Sequence, residues 1–143
     1  ILMVCLGNIC RSPLAQGLLA HKQRNWEVDS AGTAAYHIGN LPDVRSIAVA
    51  NKFGLDITDQ RARQITIDDL RYYDLILTMD AENYNNVMKM ASTELEKQKI
   101  KMILNFVFPN QNRAVPDPYY NDRFEEVYDL LDRATDSIIS EYS

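Results

Sequence analysis

The stretch Val4-Cys5-Leu6-Gly7-Asn8-Ile9-Cys10-Arg11-Ser12-Pro13 decides how the chain is read. The apolar residues 1–6 predict a short buried strand; Gly7, Asn8 and the Ser12-Pro13 pair then mark a turn into a helix. Leu14, Leu18 and Leu19 recur at helical spacing, so the helix is expected from about Pro13 to Arg24. Ser12 is its expected N-cap, and Pro13 is tolerated in the first turn because its missing N–H would be unpaired there anyway.

A loop that wraps from a strand onto a helix N-terminus points successive backbone N–H groups into one concavity, which suits a tetrahedral oxyanion. Leu6, Gly7, Asn8, Ile9 and Cys10 supply that backbone here. Gly7 removes side-chain obstruction, and Asn8 tolerates a left-handed conformation or a bond across the loop. Cys5 lies at the base, where the field that holds phosphate also stabilises a thiolate. The Ser12 hydroxyl can donate to that sulfur, and Arg11 offers a planar fork for two phosphate oxygens, which Lys would match less well. A Cys and an Arg at this spacing alone arise by chance in about one chain in eight of this composition. Taken singly they read as a buried strand residue and a solvated first-turn charge; the full loop context reverses that reading.

Working outward, Trp26–Ala31 predicts a second strand closed by Gly32, and a helix follows a polar stretch from about Asp43 to Phe53, stopped by Gly54. Residues 55–64 read as loop. Tyr73–Met79 predicts a buried strand, Ala81 to about Met90 a helix, and Lys101–Leu104 a fourth strand. After a proline-containing irregular stretch, Phe124–Tyr142 predicts a C-terminal amphipathic helix. Strands alternating with helices imply an α/β fold with a parallel sheet, whose ligands bind beyond the C-terminal strand ends near the switch point. The first strand ends at Cys5-Leu6, so the chemistry is sought there.

At 143 residues, with 46% hydrophobic and 24% charged residues, the chain is expected to form one domain with a real core. A net charge of −5 argues against a nucleic-acid binder but not against a local anion site. No apolar run approaches a membrane span, and residues 1–6 are too short and lack the basic flank of a signal peptide. Because Ile1 stands where Met would start a chain, a few preceding residues are expected, and targeting is left open. Two cysteines close together fit a reducing, cytoplasmic compartment, and His21 and His37 form no metal-ligand cluster with them. No metal and no cofactor are expected.

Across this span the chain resembles the low-molecular-weight protein tyrosine phosphatase family. The opening loop is similar to its signature, and Asp29-Ser30-Ala31-Gly32-Thr33, Ala62-Arg63-Gln64, Thr78-Met79-Asp80 and Asp117-Pro118-Tyr119-Tyr120 resemble further motifs in the same order. The resemblance implies a four-stranded parallel sheet flanked by helices on both faces, and hydrolysis of phosphotyrosine through a cysteinyl-phosphate. It implies Cys5 as nucleophile, Arg11 as transition-state clamp and Asp117 as general acid, then base on the attacking water. Without it, Asp117 reads as a turn residue before Pro118. The resemblance also implies that Asn8 and Ser30 belong to a network bracing the phosphate loop, which a histidine commonly joins where Gln60 stands here. It places Tyr36, Tyr119 and Tyr120 in the aromatic walls of a slot deep enough for phosphotyrosine. The implied partners are phosphotyrosine proteins, with a tyrosine kinase acting on the Tyr119-Tyr120 pair as a further one.

Three rivals are weighed. A phosphoarginine phosphatase of the same fold carries Thr where Ile9 stands, and Ile9 replaces that hydroxyl with an apolar wall. An arsenate reductase needs relay cysteines, and none follows Cys10. A non-catalytic phosphoprotein-binding module would not require Cys5, Arg11 and Asp117 together. The acidic residues Asp122, Glu125, Glu126 and Asp129 read either as a partner-biasing surface or as a solvated helix face. Peroxide is expected to inactivate the chain reversibly by linking Cys5 to Cys10. Mass spectrometry of the oxidised protein should find that disulfide; irreversible over-oxidation of Cys5 alone would exclude it.

Overall fold

A computed structural model describes residues 1–143. Its strands are β1 (Leu2–Cys5), β2 (Asp29–Gly32), β3 (Ile76–Thr78) and β4 (Ile100–Met102), all parallel in the order β2-β1-β3-β4. Its helices are α1 (Arg11–Lys22), α2 (Val44–Lys52), α3 (Ile67–Tyr72), α4 (Ala81–Met90), α5 (Glu94–Gln98) and α6 (Phe124–Tyr142), with a 3₁₀ turn over Ile103–Phe106. No helix is long and apolar enough to cross a membrane.

Every residue of β1 is buried, because successive side chains serve two different cores. Met3 and Cys5 face the core shared with Leu77 and Met79, which the leucines of α1 and the apolar stripe of α6 cover. Leu2 and Val4 face the second core with Ile76, Ile100, Leu70 of α3 and Val87 of α4. Helices therefore cover both faces, as an α/β sheet requires. In α6 the buried residues Phe124, Val127, Tyr128, Leu131, Ala134, Thr135 and Ile138 recur at the three- and four-residue spacing of one helical face.

Several boundaries differ from expectation. Helix α1 starts at Arg11, two residues early, with Cys10 as its N-cap and no side-chain cap bond. Ser12 is thus inside the first turn rather than capping it. Strand β2 starts at Asp29, not Trp26, because pairing begins where Asp29 comes opposite Leu2. Strand β4 ends at Met102, where the chain tightens into the 3₁₀ turn. Helices α3 and α5 were not anticipated.

The chain leaves β1 for β2 on one side and β3 lies on the other, so the C-terminal end of β1 is a topological switch point. Gly32 closes β2 against the loop that follows β1. A Cβ there would lie 2.7 Å from the Leu6 carbonyl oxygen and 3.1 Å from the Gly7 carbonyl carbon, so no other residue fits without displacing the loop.

Candidate active site

The loop between β1 and α1 is held by one side chain above all. Asn8 adopts φ +57°, the left-handed conformation that an asparagine bears at little cost. Its Oδ1 accepts the Arg63 backbone N–H at 3.0 Å, which fixes the amide so that Nδ2 faces inward. Nδ2 then donates to Ser12 Oγ at 2.8 Å and to Ser30 Oγ at 2.9 Å. Ser30 Oγ in turn donates to Gln16 Oε1 at 2.6 Å.

Ser12 Oγ lies 3.0 Å from Cys5 Sγ. Ser12 accepts from Asn8, and the sulfur is the acceptor within reach of its own proton. The Asn8 backbone N–H also points at Sγ, at 3.3 Å. The sulfur thus sits beside a hydroxyl and a backbone N–H donor at the end of β1. The N–H groups of Gly7, Ile9 and Cys10 donate to no acceptor in the chain. All three residues line a pocket of about 240 Å³ with Cys5 and Arg11.

Arg11 is 3% exposed, and Nη1 makes both of its hydrogen bonds: it donates to Asp80 Oδ2 at 2.8 Å and to the Val115 carbonyl at 3.1 Å. Burial opposes its charge, yet the Cys5 sulfur and the Asp80 and Asp117 carboxylates hold its pKa above the ordinary arginine value. Nε and Nη2 remain for an oxyanion. Asp117 Oδ2 lies 3.6 Å from Nη2, while its Oδ1 accepts the Tyr119 N–H at 3.1 Å. The carboxylate is 31% exposed and lines the same pocket. Tyr36, Tyr119 and Tyr120 complete the mouth, with Tyr36 76% and Tyr120 80% exposed. A sulfur surrounded by donors, a half-free guanidinium and a carboxyl at the rim can together perform substitution at a phosphate ester.

Cys10 also borders the pocket but differs in character. Burial, reinforced by Asp43 and Cys5, pushes its thiol up to about 12, so it stays protonated at neutral pH. Both cysteines are free.

A model of the low molecular weight phosphotyrosine protein phosphatase family matches residues 1–142. The chain belongs to that family. The low molecular weight phosphotyrosine protein phosphatase of Homo sapiens is 39% identical over 137 residues, covering 90% of this chain and 85% of its own length. The low molecular weight protein-tyrosine-phosphatase YfkJ of Bacillus subtilis is 37% identical over 146 residues, with 98% and 93% covered. The crystal structure of YfkJ superposes with a TM-score of 0.90 at 36% identity, covering 98% of this chain and 91% of that one. A Drosophila arginine phosphatase superposes equally, with a TM-score of 0.90 at 28% identity over 99% of this chain and 96% of that one. The phosphatase therefore acts on phosphotyrosine proteins through a cysteinyl-phosphate, the chemistry of its family.

Several residues of the phosphatase site had no role assigned from sequence. Asp80, at the N-terminus of α4, holds Arg11. Gln16, one helical turn beyond Ser12, holds Ser30. Arg63 presents its backbone to Asn8 while its guanidinium bonds Asp69 at 2.9 and 3.0 Å and Asp29 at 3.1 Å. His37 lines the pocket and packs on Gly7, where a Cβ would meet its Cδ2 at 3.0 Å. Gln60 takes a place apart from the Asn8 bonds: its Nε2 donates to the Pro13 carbonyl at 3.0 Å and its Oε1 has no partner. Of the acidic residues after Asp117, Asp122 pairs with Arg45, Glu125 with Lys52 and Glu126 with Arg123, so three of the four are engaged within the chain.

Proposed function

We propose that Cys5, Arg11 and Asp117 carry the phosphotyrosine hydrolysis. The Cys5 thiolate attacks phosphorus as the bond to the phenolic oxygen breaks, and Asp117 delivers its proton to that oxygen. Arg11 Nε and Nη2, with the uncommitted loop amides of Gly7, Ile9 and Cys10, receive the equatorial oxygens, whose charge is spread in the transition state. Ser12 steadies the sulfur, so that it departs readily when water attacks the cysteinyl-phosphate. Asp117 takes the proton of that water, and inorganic phosphate leaves. The observation that carries this reading is the Cys5 sulfur, held by Ser12 and Asn8 at the floor of the pocket that Arg11 and Asp117 share.

Depth and walls favour the substrate. The slot runs from Cys5 to the exposed rings of Tyr36 and Tyr120, which suits a phosphate carried on a phenyl ring. Ile9 borders the slot with an apolar side chain and offers no hydroxyl to a guanidinium. Overall fold does not separate the two specificities, since an arginine phosphatase shares it; this local difference supports tyrosine. Phosphotyrosine is a product of tyrosine kinases, so we place the enzyme in the cytoplasm opposing one, with residues 1–143 as a single catalytic unit.

Turnover of matched peptides tests the reading. The phosphotyrosine peptide is expected to exceed its phosphoserine and phosphoarginine counterparts in kcat/KM by at least about tenfold, the scale of losing well-fitted wall contacts. Equal or faster release from phosphoarginine would overturn the assignment of substrate.

A further inference from the structure

The segment between Val115 and α6 carries Asp117 with few anchors. Within residues 116–122 the backbone bonds are local: Tyr119 N–H to Asp117 Oδ1, and the Asn121 and Asp122 N–H groups to the Pro118 carbonyl. Only two side chains from elsewhere bond to it. One is Arg11, through Asp117. The other is Arg45, in the first turn of α2, whose Nη1 lies 2.6 Å from Asp122 Oδ1 and whose Nη1 and Nη2 each lie 3.5 Å from the Tyr119 carbonyl.

Arg45 is itself pinned. Nε and Nη2 fork onto the two oxygens of Asp43 at 3.0 and 3.1 Å. Its guanidinium lies 4.7 Å from the Phe124 ring centroid and 5.5 Å from that of Tyr119. Asp43 caps α2 by accepting the Arg45 N–H at 2.9 Å, and its own N–H donates to the Ile9 carbonyl at 2.8 Å. One continuous path thus runs from Ile9 in the phosphate loop through Asp43 and Arg45 to both Tyr119 and Asp122.

We propose that Arg45 is a positioning residue, which braces the Asp117-bearing loop against the phosphate loop and so sets the reach of the acid to the leaving oxygen. This rests on the assignment of Asp117 as general acid. A solvent-exposed ion pair adds little to stability. Placement is a different matter, because proton transfer needs hydrogen-bond distance. A bidentate fork stacked on an aromatic ring has already given up the freedom that a surface lysine would keep. Loss of Arg45 is therefore expected to be felt in the step that needs the proton.

The test compares kcat/KM for phosphotyrosine, whose phenolate is a poor leaving group, with para-nitrophenyl phosphate, whose leaving group needs little protonation. Arg45→Met is expected to lower the first about tenfold and the second by less than about threefold, a fraction of the worth of a general acid. Asp122→Asn removes the loop-side charge, keeps a residue suited to φ +57° at that position, and is expected to show the same selectivity at smaller size. In an Asp117→Asn background, Arg45→Met should have no further selective effect, because the group it positions is gone. If Asp117→Asn is selective but Arg45→Met and Asp122→Asn lower both substrates equally, or neither, the positioning role falls and the acid stands. If Asp117→Asn itself lacks selectivity, the assignment of the acid falls, and the inference with it.

Discussion

Cys5→Ser is expected to lose turnover of every phosphate ester while still binding phosphate and phosphotyrosine peptides. The sulfur is surrounded by groups that give hydrogen bonds: the Ser12 hydroxyl at 3.0 Å and the Asn8 N–H at 3.3 Å. Such a setting suits a sulfur nucleophile, because a thiol is by nature a far stronger acid than an alcohol. Neither group bonded to the sulfur, a hydroxyl and a backbone N–H, is a base that could take the proton of a serine, so the substituted hydroxyl is left unactivated. The expected loss is on the order of 10⁶-fold in kcat, the scale of deleting a nucleophile. The anion cradle, made of Arg11 and loop amides, is untouched by the change. Calorimetric titration with phosphate should therefore find affinity within a few-fold of the parent, and assays over hours should find no release. A serine variant keeping most of the activity would remove Cys5 from the mechanism.

Asp117→Asn is the second large effect. The carboxyl faces the pocket through Oδ2 while Oδ1 is engaged with the Tyr119 N–H, a bond that the asparagine carbonyl can keep. Loop shape should survive, and the transferable proton is lost. A slowing of about 10²–10⁴-fold is expected for phosphotyrosine, with a far smaller one for para-nitrophenyl phosphate. Pre-steady-state release of the phenol isolates the first step, where this selectivity belongs. An unchanged rate with the poor leaving group would exclude Asp117 as the acid. The contact with Arg11 at 3.6 Å adds a smaller consequence: removing the charge frees the guanidinium from a competitor, so phosphate binding should hold or tighten.

Particular residues show how far the chain could be read without coordinates. Strand β1 and helix α6 were legible because burial writes itself into spacing, as a continuous apolar run in one and a three- and four-residue period in the other. Helices α3 and α5, of six and five residues, are too short to display a period. They did leave another trace: Thr66 with Asp69, and Thr93 with Glu96, are Thr-x-x-acid pairs at helix starts, and in both the acidic side chain accepts a bond near the cap. Ser12 misled as an N-cap because a hydroxyl before a proline fits that role locally; a sulfur and an amide brought from outside the helix claimed it instead.

For the site, the phosphate loop is contiguous in the chain, and its cysteine, left-handed asparagine and arginine act within nine residues of one another. Local sequence was sufficient to place it on a strand-to-helix turn. Asp117 entered only through family resemblance. Gln16, Asp80, Arg63, His37 and Arg45 went unassigned, because each earns its place by touching a residue far along the chain or one turn away on a helix face.

The sequence alone thus determined the alternation of strands and helices, the loop that receives an oxyanion and the atom within it suited to attack, since these depend on neighbours along the chain. Tertiary structure alone decided which groups gather around Ser12, which two of the Arg11 nitrogens carry no hydrogen bond, and what tethers the segment bearing Asp117. Those are matters of distance between groups far apart in the chain, such as Arg11 and the Val115 carbonyl 104 positions away, and only the packed sheet and helices bring such groups within bonding range.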